Sequence, residues 1–271
     1  MEYSTINGYR CAISAFHIPI EGMKAGSHPR VTELLKGVSN ERPPNPGIHY
    51  TWDVDKVLMF MKSLPENGNL SRKMLTLKTV TLLGICNINR CMELAALNTK
   101  LMSKRPDHYQ FGFGITTKHS RKGKPVPPVY FHSFPKDTKI CPVQAIDDYS
   151  LITNDDRVAQ NTFGLFLGIP KPHRPVESST IGRWVVNFLS LAGIDTRHFS
   201  GHSVRGASSS KAKSKGTKLK TILRQGNWSS ENFWQKHYHK NVGSSKSPTK
   251  GASVSSSREF QRAILEDVPE C

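Results

Sequence analysis

The sequence predicts an α+β protein that is mostly α-helical and has one small antiparallel β-sheet. Apolar residues recur at helical spacing from residue 51 to residue 83 and again from 178 to 189. Residues 109–115 instead alternate apolar with small or polar residues, which is the pattern of a half-buried strand, and a second run spans 126–131. The 271 residues are enough for one sizeable domain and a smaller companion.

The first 46 residues contain two short helical patterns, at 5–16 and 29–37, which are too little for a domain of their own. A Pro-rich stretch follows at 42–47, and proline breaks helices because it lacks a backbone N–H group. We therefore expect residues 1–46 to be the C-terminal part of a truncated helical domain with its linker. The main domain is then predicted to span residues 47–242.

A new helix is predicted to start at Asn89, after the helical block of 51–83 and Gly84. An asparagine side chain can cap a helix, and three apolar residues follow at helical spacing, namely Met92, Leu94 and Leu97. This interpretation places Arg90 in the first turn of the helix.

The two strand patterns, 109–115 and 126–131, are separated by a Gly- and Lys-rich turn and predict a β-hairpin with Lys118 near its bend. The segment 178–189 predicts a helix that begins at serine caps and ends before Gly193. One face of this helix is apolar and is formed by Ile181, Trp184, Val185 and Phe188.

Three more helices are predicted to begin near His202, Lys218 and Ser230, because glycines separate these segments. Residues 243–271 are rich in serine and lysine and predict a flexible tail. The tail ends in a short amphipathic segment at 258–265.

The chain is strongly basic, with 38 Lys and Arg against 21 Asp and Glu, a net charge of +17 and a pI near 9.8. A polyanionic partner is the first expectation, because cations that meet phosphates release condensed counterions. A solvated surface would explain any single basic run but explains the total less well. The candidate DNA-binding residues are the lysines of the two densest runs, namely Lys122, Lys124, Lys211, Lys213 and Lys215.

Several classes of protein are not supported. The five cysteines form no Cys-x-x-Cys pair and have no histidines at zinc-finger spacing, so we interpret them as reduced thiols of an intracellular protein. No apolar run approaches the roughly 20 residues that cross a bilayer, and the first residues lack a secretory pattern. The eleven histidines are scattered and no Gly-x-x-x-x-Gly-Lys loop is present, so we predict no metal, no nucleotide and no other cofactor.

The stretch 202–240 concentrates residues that can act on a phosphate. His202 and Arg205 are three residues apart and therefore share a helical face. We predict that Phe233 and Trp234 are core residues. Tyr238 has basic neighbours that suit a buried ring poorly, and a phenol is a possible covalent nucleophile.

The order Arg90, Lys118, His202, Arg205, Trp228 and Tyr238 resembles the tyrosine recombinases of the phage-integrase family. The resemblance runs from about residue 4 to residue 240, and it rests on the segments 90–94, 116–125, 201–210 and 222–238. Within the family, the sequence most resembles the recombinases of DIRS- and Ngaro-type retrotransposons and of Cryptons. It implies a tyrosine-recombinase catalytic domain preceded by the end of a helical, SAM-like core-binding domain.

The resemblance also implies an activity, which is cleavage and rejoining of double-stranded DNA through a 3′-phosphotyrosyl intermediate on Tyr238. Arg90 and Arg205 would clamp the scissile phosphate, and His202 and Trp228 would add hydrogen-bond donors. His202 would be the general base, and Lys118 the general acid for the leaving 5′ oxygen. Glu93 would either orient Arg90 or His202 or be an ordinary surface charge. A nuclear location and a homotetramer on two DNA duplexes are implied as well.

Two features differ from the family pattern or extend it. Tyr238 lies one residue further from Trp228 than the family spacing. After the Ser-rich linker, Phe260, Ala263 and Ile264 are expected either to dock into a neighbouring subunit or to form a frayed tail.

Two other functions remain open. The chain could be a catalytically silent, domesticated DNA-binding protein, or it could be a type IB topoisomerase.

Overall fold

The computed structural model describes residues 1–43, 50–113, 115, 127–242, 257–266 and 268. The chain divides into two units, Met1–Ile48 and His49–Cys271. Helices α1 (Tyr3–Phe16) and α2 (Pro29–Glu41) form the first unit. Helix α2 begins with proline at its first position and with the His28 side chain accepting a hydrogen bond from the Arg30 N–H. Both predicted N-terminal helices are confirmed, and α2 extends four residues further than expected.

The second unit begins with strand β1 (Tyr50–Thr51) and continues through helices α3 (Val54–Ser63), α4 (Arg72–Asn87) and α5 (Cys91–Ala95). The larger of the two sheets among its described residues consists of strands β2 (Leu97–Lys104), β3 (His108–Phe113) and β4 (Val129–His132), and the smaller, which was not predicted, is a parallel pair of β1 with a short strand at Asn241–Val242. Helices α6 (Pro142–Ala159), α7 (Ser178–Leu191), α8 (Ser203–Ser214), α9 (Leu219–Gly226) and α10 (Glu231–His237) follow. Strand β5 (Asn241–Val242) and helix α11 (Ser257–Leu265) complete the unit. No helix among the described residues is long and apolar enough to span a membrane.

Helix α4 is the centre of the second unit. Every residue from Leu75 to Asn87 is buried, because α6, α7, α8 and α11 pack around the helix. Because neighbours surround it, the helix is apolar or uncharged on all faces from Leu75 onward, apart from the buried Lys78. Gly84, which the sequence suggested as a break, lies inside α4, and the helix ends at Ile88 in a left-handed conformation with φ of 45°.

The sheet has the strand order β2-β3-β4 and is antiparallel throughout. The predicted hairpin is confirmed by the cross-strand pairs Tyr109 with Phe131 and Phe111 with Val129. Strand β2 was not predicted, and Leu97 begins this strand instead of continuing the preceding helix. The side chains of Phe111 and Phe131 are fully buried and hold the sheet against the helices.

Helix α11 packs on its own chain and is not a frayed tail. Phe260 and Ile264 are fully buried, and Ala263 is half-buried. The Gln261 side chain pairs with the backbone of β4, since the His132 N–H donates to its Oε1 at 3.0 Å and its Nε2 donates to the His132 carbonyl. The four cysteines among the described residues, Cys11, Cys86, Cys91 and Cys141, are free thiols.

The buried lysine in α4 gives the first testable prediction. Lys78 is fully buried and donates to Asn67 Oδ1 at 2.7 Å, and burial lowers its pKa from 10.5 to about 8. The unfolded chain therefore binds the Lys78 proton more tightly between pH 8 and 10.5, so the contribution of Lys78 to the free energy of unfolding should rise with pH in that window. The expected contribution is on the order of 2 to 3 kcal/mol between pH 7 and 10. Urea unfolding of the wild type and of Lys78→Met at each pH measures this difference, and a pH-independent difference would contradict the expectation.

Candidate active site

Arg205, in the first turn of α8, is the most buried cation of the candidate site, with 1% of its surface exposed. Its guanidinium group donates to two backbone carbonyls, those of Ile88 and Gly226. The left-handed turn at Ile88 ends α4, and the carbonyl of this residue accepts the hydrogen bond from Arg205. The Nε–H group has no hydrogen-bond partner among the described residues. The pKa of Arg205 is lowered, mainly because the side chain is buried and to a smaller extent because the cation Arg90 is near.

Arg90 and Glu93 form a reciprocal cap at the start of α5. The Arg90 backbone N–H donates to Glu93 Oε2 at 2.7 Å, and the Arg90 Nη1 donates to Glu93 Oε1 at 2.6 Å. Arg90 is thus the N-cap residue of α5 and does not lie in its first turn. The prediction that Asn89 caps this helix is wrong. Glu93 is buried and bonded to Arg90, so its contacts fit the orienting alternative and not that of an ordinary surface charge.

Tyr238 follows the last residue of α10, and its hydroxyl group lies 3.0 Å from His202 Nε2. His202 is exposed and is the N-cap of α8. The Tyr238 ring is half-buried, with its centroid 5.5 Å from the Arg205 guanidinium carbon. Despite the extra residue between Trp228 and Tyr238, the phenol, the imidazole and the guanidinium group lie together.

The indole of Trp228 covers the same cluster. Its ring centroid lies 4.5 Å from that of Tyr238, and the Arg205 guanidinium carbon lies 4.9 Å from the indole. The Nε1–H group is buried and has no hydrogen-bond partner among the described residues. The turn that aims the ring requires glycine at Gly226, because a Cβ there would lie 2.3 Å from Trp228 ring atoms.

Small residues of α8 place Tyr238. Trp234, which is buried as predicted, donates its indole N–H to Ser209 Oγ at 3.1 Å. Ser210 Oγ donates to the Tyr238 carbonyl at 3.2 Å and accepts from the Lys240 N–H at 3.0 Å. The prediction that Phe233 is a core residue is wrong, since 43% of its surface is exposed. Sequence reasoning missed the roles of the two serines, because serine on a helix carries no positional signal.

A cavity of 760 Å³ adjoins this cluster and is lined by Arg90, Glu93 and Arg205. Helix α9 and the residue before it add three further cations to the wall, namely Lys218, Lys220 and Arg224. These three residues were not among the predicted DNA-binding residues. Their signal was the pronounced amphipathicity of α9, which packs Ile222 into the core and turns its basic face to the cavity.

The lysines predicted to bind DNA have different environments. Lys122 and Lys124 lie outside the described residues, as does Lys118, the predicted general acid. Lys213 and Lys215 are exposed. The prediction for Lys211 is wrong, because this side chain is buried, paired with Asp55 at 2.5 Å and bonded to the Ile264 carbonyl at 2.6 Å.

Three potential metal ligands lie together outside the candidate active site. The prediction that the histidines are scattered is therefore wrong for His108 and His132, which lie together with Asp107, each of the three offering a ligand atom within 4.8 Å of the others.

Comparison with known proteins gave matches among solved structures alone, since no family model and no curated protein matches the chain. The crystal structure of XerA recombinase aligns with 89% of this chain and 79% of its own at a TM-score of 0.50 and 16% identity. A lambda integrase dimer bound to a COC′ core site aligns with 92% of this chain and 75% of its own, at a TM-score of 0.50 and 13% identity. The XerH site-specific recombinase bound to its difH substrate aligns with 88% of this chain and 67% of its own, at a TM-score of 0.51 and 10% identity. The mostly helical chain with its three-stranded antiparallel sheet thus has the fold of the tyrosine recombinase catalytic domain, as the sequence predicted.

Proposed function

We propose that this chain cleaves and rejoins double-stranded DNA through a covalent 3′-phosphotyrosyl intermediate on Tyr238. The observation that carries the proposal is the position of the Tyr238 hydroxyl, 3.0 Å from His202 Nε2 and beside the buried guanidinium of Arg205. A phenol is a weak nucleophile until a base takes its proton. A phosphate between Tyr238 and the two arginines would have both a nucleophile and cations within reach.

The donors of the site suit the charge that develops during the reaction. As the Tyr238 oxygen bonds to phosphorus, negative charge grows on the non-bridging oxygens and the bond to the 5′ oxygen breaks. The Nε–H of Arg205 and the Nε1–H of Trp228 have no hydrogen-bond partner in the part of the chain that the structure describes, so both can donate to those oxygens. Preorganised donors of this kind typically contribute about 10²- to 10³-fold to the rate.

Proton transfers complete the proposed step. His202 accepts the phenolic proton of Tyr238, and Lys118 protonates the leaving 5′ oxygen, as the family resemblance implies. Attack by a 5′ hydroxyl on the phosphotyrosine reverses the step and rejoins the strand. The phosphodiester energy is conserved in the tyrosyl link, so the cycle requires no nucleotide.

For binding a phosphate, arginine suits positions 90 and 205 better than lysine would. Its planar guanidinium group contacts phosphate through two donors at once. Glu93 fixes the Arg90 side chain through its Nη1, and Arg90 lines the cavity. Lys218, Lys220 and Arg224 would meet the phosphates that flank the scissile one. The net charge of +17 supports the same polyanionic partner.

The finer assignments belong to the same proposal. We assign the chain to a transposable element of the DIRS, Ngaro or Crypton type, acting in the nucleus as a homotetramer on two duplexes. Mass measurement of the complex with its DNA site should give four chains and two duplexes. One chain per duplex, together with relaxation of supercoiled plasmid, would indicate the type IB topoisomerase alternative.

The DNA site can be found by covalent capture. The chain is incubated with a duplex library that contains a randomised core and a nick near its centre, so that cleavage releases a short fragment and religation fails. DNA that stays attached to protein after detergent treatment is then sequenced. We expect enrichment of one related set of sites. Salt-sensitive binding without any attached DNA would favour the silent DNA-binding alternative.

The two lysines of α8 give a matched test of the DNA-binding surface. Lys213→Gln should leave the free energy of unfolding within about 0.5 kcal/mol. It should also weaken DNA binding and lower the slope of log affinity against log salt by about one. Lys211→Gln should lower the free energy of unfolding by about 1 to 3 kcal/mol and leave that slope unchanged, because its partners are Asp55 and the Ile264 carbonyl. The reverse pattern would mean that Lys211, and not Lys213, contacts DNA.

A further inference from the structure

The β3–β4 ladder brings together three side chains that the proposed reaction does not use. His108 and His132 are register partners in this antiparallel pair, so their side chains lie on the same face of the sheet. Asp107 immediately precedes His108, and one ligand atom from each of the three residues lies within 4.8 Å of the others. The ring centroids of the two histidines are 5.3 Å apart.

His132 is oriented as a metal-ligating histidine would be. Its Nε2 lies 2.8 Å from Ser257 Oγ at the start of α11, a contact that can hold the proton on Nε2. Its Nδ1 is then a lone-pair acceptor, and this atom is buried with no hydrogen-bond partner among the described residues. A buried nitrogen without a partner is unfavourable, and coordination to a cation would satisfy it.

Asp107 and His108 provide the other donors. Asp107 Oδ1 lies 2.8 Å from His108 Nδ1, and Asp107 Oδ2 lies 3.6 Å from the Arg258 guanidinium group. Ligand atoms around tetrahedral zinc are roughly 3.3 Å apart, given metal–ligand bonds of about 2.0 Å. Asp107 is exposed, so its side chain can move the ångström or so that closure requires.

We propose that Asp107, His108 and His132 bind one divalent transition-metal ion of the zinc type between the β3–β4 ladder and helix α11. Two imidazoles and one carboxylate favour zinc, cobalt or nickel over magnesium or calcium, which prefer oxygen ligands. Water completes the coordination. Because Ser257 bonds to the ligand His132, metal binding stabilises the contact of α11 with the sheet.

The test is a titration of the full chain, free of any polyhistidine tag, with Co²⁺ and then with competing Zn²⁺. We expect visible ligand-field absorption that saturates at one Co²⁺ per chain and disappears on addition of Zn²⁺. We also expect a zinc-dependent rise in the midpoint of thermal unfolding. Magnesium at the same concentration should give neither response.

Variants assign the response to the three residues. Asp107→Asn, at an exposed position, and His132→Gln should each lower the affinity for Co²⁺ at least about 10-fold. His198→Gln, which changes an exposed histidine elsewhere, should leave it unchanged. Arg258→Gln should raise the affinity, because it removes a cation from the site. Absence of saturable binding, or equal binding by Asp107→Asn and His198→Gln with circular dichroism unchanged, would overturn the proposal.

Discussion

Replacing Arg205 with lysine is expected to reduce covalent DNA cleavage by at least about 10²- to 10³-fold. Lysine keeps the positive charge but has a single nitrogen, which cannot contact the Ile88 carbonyl, the Gly226 carbonyl and a phosphate in the arrangement of the guanidinium group. At least one buried carbonyl should lose its partner, so the free energy of unfolding should also fall by about 1 to 3 kcal/mol. The yield of covalent protein–DNA adduct measures the first effect, and urea unfolding measures the second.

The matched control is Arg197→Lys, the same substitution at an exposed arginine that pairs with Asp195. It should leave both the adduct yield and the free energy of unfolding within the experimental error. If Arg205→Lys folded stably and still formed adduct at the wild-type rate, Arg205 would be a structural cation without a role in the reaction.

Replacing Gly226 with alanine should have the second large effect. The added methyl group would lie 2.3 Å from the Trp228 ring, so the indole must leave its place beside Tyr238. The carbonyl of residue 226 also holds Arg205, and its displacement would disturb the guanidinium group. We expect a loss of cleavage of about 10²-fold or more and a loss of about 1 to 3 kcal/mol in the free energy of unfolding.

Gly68→Ala is the corresponding control, because a Cβ at Gly68 would have no atom within 4 Å. Its adduct yield and unfolding should match those of the wild type. DNA binding by Gly226→Ala should persist, since Lys213, Lys220 and Arg224 are unchanged. Cleavage by Gly226→Ala at the wild-type rate would contradict the role assigned to Trp228.

Local sequence patterns were sufficient for most of the helices. Helices α8, α9 and α10 begin within a residue or two of their predicted starts, because glycine and serine punctuate the chain there. Helix α7 buries the four residues predicted for its apolar face, namely Ile181, Trp184, Val185 and Phe188. Strand β2 was missed because its burial pattern is irregular and a register shift interrupts its pairing with β3.

Burial of charge could not be predicted from a basic segment. Arg205, Lys211 and Lys213 have similar neighbours in the sequence, yet the first two are buried and the third is exposed. What separates them is the position of their partners, since Ile88 and Asp55 lie more than 100 residues away in the chain. The packing of α8 against α3, α4, α9 and α11 determines which of these cations face solvent.

The cluster of Asp107, His108 and His132 depends on strand register in the same way. A shift of one residue between β3 and β4 would put the two histidines on opposite faces of the sheet. The sequence predicted the hairpin but not its register, and the histidines therefore looked scattered. The alternative roles of Glu93 likewise could be separated only by its two hydrogen bonds to Arg90.

The central claim is that Tyr238 is the residue that becomes linked to DNA. On a nicked duplex carrying the captured site, wild-type chain should form a detergent-resistant adduct, and mass spectrometry of its peptides should find the 3′-phosphodeoxynucleotide on Tyr238. Tyr238→Phe should bind the duplex with similar affinity and form no adduct, whereas Tyr9→Phe, at an exposed tyrosine, should behave like the wild type. An adduct on another residue, or an equal yield from Tyr238→Phe, would contradict the account.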